Sequence, residues 1–67
     1  MDLLPDIGFA AGEIYFCGIE KPVELQIVKK RVSRREDIFN MALGWLSREG
    51  KIEIYTEKTK TYIRKIG

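Results

Sequence analysis

The sequence predicts a single α+β domain over residues 1–67, in which three short helices precede a C-terminal β-hairpin. Three observations predict this class. Apolar residues recur at helical spacing between residues 7 and 46, a glycine follows the longest such run, and two β-rich runs follow that glycine. A chain of 67 residues can bury only one small core, so most apolar positions should contribute to it.

The first helix is predicted to begin near Pro5 or Asp6, which both suit a first helical turn, and Glu20-Lys21-Pro22 interrupts it. Cys17 is placed in this helix as a small buried residue, because the sequence has no histidine that could activate its thiol. A single cysteine also excludes an internal disulfide. Small and apolar residues at helical spacing form the core face: Ile7, Ala10, Ala11, Ile14 and Gly18.

A short strand and a second short helix are predicted to follow this interruption. Val23 can supply the strand, since it is a β-branched residue just after a proline. Leu25, Val28 and Val32 then have the spacing of one helical face. This second helix is expected to end in the basic run Lys29-Lys30-Arg31.

The third helix has the clearest signals. Ser33-Arg34-Arg35-Glu36 fits the S-x-x-E capping box, in which the serine and glutamate side chains bond each other's backbone amides, so the helix is predicted to start there. Gly50 suits a left-handed cap, which ends the helix at about Glu49. Trp45 is expected to anchor the core from the middle of the apolar face. That face comprises Ile38, Phe39, Ala42, Leu43, Trp45 and Leu46.

Two runs after Gly50 predict the hairpin. Lys51–Thr56 alternates polar and apolar residues, Thr61–Ile66 is rich in β-forming residues, and Glu57–Lys60 connects them. The connection has no glycine or asparagine, which leaves the turn type open. This order of elements predicts a winged helix-turn-helix domain, in which the hairpin is the wing.

Three segments also resemble a known family. Ala42-Leu43-Gly44-Trp45-Leu46-Ser47-Arg48-Glu49-Gly50-Lys51-Ile52, together with Ile7-Gly8 and Ala11-Gly12-Glu13-Ile14-Tyr15, resembles small stand-alone winged-helix proteins of prokaryotes. The resemblance covers nearly the whole chain. It implies that the third helix enters the DNA major groove and that the hairpin touches the DNA backbone or minor groove. In this chain those two parts correspond to Ser33–Glu49 and Glu57–Lys60.

The net charge of +2 conceals a strong separation of charge along the chain. Residues 1–28 carry −4, residues 29–35 carry +5, residues 36–50 carry −2 and residues 51–67 carry +3. A polyanion would meet two separate basic segments, which predicts binding to double-stranded DNA mainly through phosphates. The candidate contacts are Lys29, Lys30, Arg31, Arg34 and Arg35 around the turn before the third helix, and Lys58, Lys60 and Arg64 in the hairpin.

On the third helix, Asn40 is suited to contact adenine, and Arg48 to contact guanine or phosphate. Glu36 and Asp37 lie near them, so this face is not basic. Two interpretations are open for the basic turn: it holds a phosphate at the helix N-terminus, or it is a solvated turn whose cations these two acids neutralise. For the hairpin cations, phosphate contact competes with protection of an exposed strand edge.

Phe9 and Phe16 form a second apolar stripe on the side of the first helix away from its core face. Either the Met1–Leu4 segment or the hairpin covers them, or they form a seam between the two copies of a homodimer. The second function that the sequence allows follows from such a surface. It is a protein-interaction module that uses the third helix or the Phe9 and Phe16 side to hold another protein.

The sequence shows none of the usual catalytic or metal-binding constellations. It has no histidine, no glycine-rich phosphate loop and no nucleophile beside a base, so we expect a protein that is not an enzyme and takes no metal or cofactor. Its longest apolar runs are a few residues, which predicts no membrane span, no signal peptide and a cytoplasmic location. The predicted role is that of a transcriptional regulator or a small architectural factor.

Overall fold

The computed structural model describes residues 2–67. Over this range the chain runs helix, strand, helix, helix and hairpin, which confirms the predicted α+β winged helix and the short strand at Val23. The helices and strands, in chain order, are α1 (Leu4–Tyr15), β1 (Val23–Glu24), α2 (Leu25–Arg31), α3 (Glu36–Arg48), β2 (Ile52–Glu57) and β3 (Lys60–Lys65).

The strands form one antiparallel sheet in the order β1-β3-β2. Ile63 in the central strand pairs with Val23 on one side and with Ile54 on the other. Ile63 is fully buried, so its face of the sheet packs on the helices. Tyr55 and Tyr62 stack on the opposite face with ring centroids 5.8 Å apart.

α1 buries the predicted face made of Ile7, Ala10, Ala11 and Ile14, but it ends at Tyr15. The predictions that Gly18 lies on this helical face and that Cys17 is a buried helical residue are therefore wrong. The Cys17 amide donates to the carbonyl of Ile14, three residues back, which tightens and closes the last turn. Gly18 follows with φ 90°, in the left-handed region that favours glycine, and Cys17 is half-buried beside the core.

α3 begins at Glu36, two residues later than the predicted capping box with Ser33 as its cap requires, so that prediction is wrong. Arg35 occupies the cap position without a side-chain hydrogen bond to the backbone. The Glu36 carboxylate instead faces α2, where its Oε2 lies 3.4 Å from Nζ of Lys29. The first turn is stabilised by the acidic side chains of Glu36 and Asp37, which suit the positive end of the helix dipole.

Trp45 is not a core anchor, because 40% of it is exposed. Successive residues of a helix are turned by 100°, which places Trp45 about 90° from the centre of the buried face of α3. The end of α3 is as predicted, with Glu49 as the cap and Gly50 at φ 71°. The buried face consists of Ile38, Phe39, Ala42, Leu43 and Leu46.

The hairpin turn is tighter than the predicted Glu57–Lys60 connection. Glu57 pairs with Lys60 in the strand register, so the turn consists of Lys58 and Thr59 alone. Lys58 has φ 59°, a conformation in which a residue with a Cβ is strained. The tip of the wing therefore holds a lysine where glycine or asparagine is favoured.

Candidate nucleic-acid interface

Two of the predicted DNA-contacting arginines form bidentate ion pairs within the chain. Arg34 donates from Nε and Nη2 to the two carboxylate oxygens of Glu13 at 2.7 and 3.0 Å. Arg35 donates in the same way to Asp37 at 2.7 and 3.0 Å. These hydrogen bonds hold the pKa of Glu13 below its ordinary 4.5 and the pKa of Asp37 below its ordinary 3.8. Both carboxylates are ionised at neutral pH, so each guanidinium already faces a negative charge.

The end of α2 holds the other three cations of the basic turn. Lys29 pairs with Glu36, as described above. Arg31 donates from Nη1 to the backbone carbonyls of Cys17 and Gly18, at 3.1 and 3.5 Å. Lys30 is exposed, and no carboxylate among residues 2–67 lies within 4.0 Å of its ammonium group. Of these three cations, Lys30 is therefore the lysine without an ion-pair partner in residues 2–67.

The hairpin cations divide in the same way. Arg64 lies opposite Glu53 in the strand register, and its Nη2 is 2.6 Å from Oε1 of that residue. Lys60 Nζ is 3.8 Å from Oε2 of Glu24 on β1. Lys58 at the tip is exposed and forms no ion pair with any residue that the structure describes. Lys58 is thus the hairpin cation most open to an external phosphate.

The outward face of α3 carries few charges. Asn40, Gly44 and Ser47 are exposed there, and the negative charge of Asp37 is matched by Arg35. Arg48 is exposed in the last turn and has no ion-pair partner in the described part of the chain. This face can therefore enter a groove with one unpaired cation and one amide side chain, and without an unpaired acid at Asp37.

Phe9 and Phe16 are 67% and 78% exposed, respectively. Neither residues 2–4 nor the hairpin covers them, and Met1 lies outside the described residues. The seam between two copies, which was the other interpretation, stays a prediction.

Sequence reasoning missed the part of α3 that adjoins this stripe. Trp45 lines a groove between α1 and α3 together with Gly8, Gly12 and Phe16. Met41, which is 46% exposed, lines a second groove that also includes Trp45. The helical angle of Trp45, a quarter turn from the core direction, was the signal that could have revealed it.

Burial raises the pKa of the Cys17 thiol, so the thiol is protonated at neutral pH and is a poor nucleophile. Among residues 2–67, no three acidic or cysteine side chains come together in a way that could hold a metal ion. None of the helices in this range is both long and apolar enough to cross a membrane.

Comparison with protein families agrees with this architecture. The family model described as "Winged helix-turn-helix domain (DUF2582)" matches residues 1–65. No curated protein matches the chain. Because the match covers nearly the whole sequence, the chain belongs to this winged helix-turn-helix family, DUF2582.

Proposed function

We propose that this protein binds double-stranded DNA with little sequence selectivity, as a transcriptional regulator or a small architectural factor. Six exposed cations have no ion-pair partner in residues 2–67, and the observation that carries the proposal is the position of three of them. Lys30 lies at the end of α2, Arg48 at the end of α3 and Lys58 at the wing tip. Winged helix-turn-helix domains in general contact DNA with these same elements.

In this proposal α3 enters the major groove and the wing contacts the neighbouring backbone. Arg48 and Lys58 each meet a phosphate, and Lys30 meets a third. The remaining cations act as secondary contacts, because a carboxylate or a carbonyl already occupies part of each side chain. They are Lys29, Arg31, Arg34, Arg35, Lys60 and Arg64.

Selectivity for sequence should be low because α3 presents few groups that can read bases. Asn40 is the exposed amide on its outward face, and an amide can bond adenine through two hydrogen bonds. The main binding energy would come from phosphates, which carry no sequence information directly. The proposal includes a cytoplasmic location, where the prokaryotic winged-helix proteins that the sequence resembles would meet DNA.

The test is fluorescence anisotropy of a labelled random-sequence duplex at several salt concentrations. About three phosphate contacts predict that the logarithm of affinity falls with the logarithm of salt at a slope of about −3. Replacing Arg48 and Lys58 by Gln should flatten that slope by about 2, because each lost contact removes about 0.9.

Lys21→Gln is the matched control. This exposed lysine precedes Val23, which pairs with Ile63, so Lys21 lies towards the Lys65 end of the sheet and away from the wing tip. The control should leave the slope unchanged. A flattening of about 0.9 by Lys21→Gln, the same per charge as in the double variant, would mean that net charge, and not these positions, determines binding. No binding at low salt would favour the protein-interaction module.

A further inference from the structure

We propose that two copies of this chain pair through one continuous apolar surface on α1 and α3. The inference goes beyond DNA binding and does not depend on it. We call this surface the α1–α3 face, and it consists of Gly8, Phe9, Gly12, Phe16, Met41 and Trp45.

The two grooves described above make the face continuous. Gly8, Gly12, Phe16 and Trp45 line the first groove, and Trp45 also lines the second one with Met41. Phe9 extends the same side of α1, because it lies seven residues, or about two helical turns, before Phe16. One apolar surface therefore runs from α1 across Trp45 to Met41.

The exposed apolar area of the α1–α3 face is close to the apolar area that one partner buries in a standard interface. Phe9, Phe16, Met41 and Trp45 are 67%, 78%, 46% and 40% exposed. At about 200 Å² for a fully exposed large side chain, they present about 450 Å² of apolar surface. A standard interface buries about 800 Å² per partner, of which about 60% is non-polar, or about 480 Å². The four side chains alone approach that amount.

The geometry of α1 fits a second copy of itself. Apart from its chain neighbours and its own helix backbone, a Cβ at Gly8 or Gly12 would meet no atom of residues 2–67 within 4 Å, so the backbone between the two phenylalanines is open to close approach. Gly12 lies three residues after Phe9 and four before Phe16. In a two-fold pairing with antiparallel α1 helices centred near Gly12, Phe9 of one copy meets Phe16 of the other. A two-fold interface requires this self-complementarity.

The charges around the face favour a second copy over a strongly charged partner. Glu13 and Arg34 form an ion pair on one flank. Lys65 lies 5.1 Å from the ring of Phe16 and 3.6 Å from Glu20, so it is paired as well. Arg48, Glu49 and Lys51 also line the two grooves and form no ion pair in residues 2–67. Because charges of both signs border the face, identical copies meet without strong like-charge repulsion.

Sedimentation equilibrium of the full chain, from about 10 μM to about 1 mM, tests the proposal. The parent should be a dimer in the upper part of this range. Gly12→Gln and Phe16→Glu should each raise the dissociation constant of the dimer at least tenfold. The glutamine side chain would occupy the space that close approach of the helices needs, and the glutamate would bury a charge in the interface. Ile27→Glu is the matched control, since Ile27 is an exposed apolar residue of α2 outside this face. It should leave the dimer intact.

Gly12→Gln also protects the test against simple unfolding. The position is helical and open, and glutamine is a better helix former than glycine, so the variant monomer should unfold at a temperature no lower than the parent. If Phe16→Glu fails to fold, Gly12→Gln decides alone. A parent that stays monomeric at about 1 mM, or a Gly12→Gln variant that dimerises as tightly as the parent, overturns the proposal. A monomeric parent would leave the face to another protein.

Discussion

A single residue at the wing tip allows stability and DNA binding to be separated. Lys58 has φ 59°, which glycine adopts freely and lysine does not. Lys58→Ala removes the ammonium group and keeps the backbone strain, whereas Lys58→Gly removes both. Comparing the two variants therefore isolates the strain, and comparing Lys58→Ala with the parent isolates the cation.

The expected magnitudes follow from the backbone conformation. A residue with a Cβ in the left-handed conformation costs about 1 to 2 kcal/mol, and replacing it by glycine removes this cost. Glycine also makes the unfolded chain more flexible, which lowers the stability by about 0.5 to 1 kcal/mol. Lys58→Gly should thus be more stable than Lys58→Ala by about 0.5 to 1 kcal/mol. In a domain of this size that difference raises Tm by about 3 to 6 °C. Both variants should flatten the salt slope of DNA binding by the same amount, about 0.9.

Thermal unfolding followed by circular dichroism at one protein concentration gives the first difference, and anisotropy on a labelled duplex gives the second. Equal Tm values for the alanine and glycine variants would refute the strain at Lys58. A salt slope that neither variant changes would remove this lysine from the interface. Different slopes for the two variants would show that the shape of the tip, and not only its charge, determines binding.

Three further predictions concern the core, the acid limit of stability and sequence preference. Phe39→Ala should lose about 3 to 5 kcal/mol in urea unfolding of dilute protein, and Trp45→Ala about half as much, because Phe39 is 1% exposed and Trp45 is 40% exposed; equal losses would contradict the orientation of α3. Because the pKa values of Glu13 and Asp37 are lowered in the folded state, both ion pairs stabilise the fold above about pH 4.5 and lose that effect as the pH falls further. The Tm should therefore drop below this pH. The drop should be smaller in a variant that carries both Glu13→Gln and Asp37→Asn. An identical acid profile in that variant would rule these pairs out as the cause. Asn40→Ala should reduce any preference for adenine-containing sites in competition titrations while affinity for random duplex stays within about twofold.

The order of the elements was predictable because it rests on local patterns. Helical spacing identified the buried face of α1, and the alternation after Gly50 identified β2. The start of α3 was not predictable from the capping motif, because the Arg34 amide donates to the carbonyl of Val32, so the chain is still in the turn after α2 at this point.

The candidate site was predictable in its residue types but not in its pairing. Charge counting located the cations, yet Arg34 pairs with Glu13, which lies 21 residues earlier in the chain. A contact of that separation depends on how α1 packs on α3. Trp45 shows the same limit in the core. The seven apolar residues of α3 cannot all lie on one buried face, and only the packing determines which of them lie at its edge.

The most direct test of DNA binding through α3 and the wing is a residue-by-residue map of the contact. Two-dimensional ¹H–¹⁵N spectra of the full chain would be recorded while a short random-sequence duplex is added at low salt. The account predicts that amide shifts change most around Asn40, Arg48 and Lys58, with a smaller change near Lys30, and that added salt reverses them. Spectra that stay unchanged at low salt, or changes confined to the surroundings of Phe16, would contradict it.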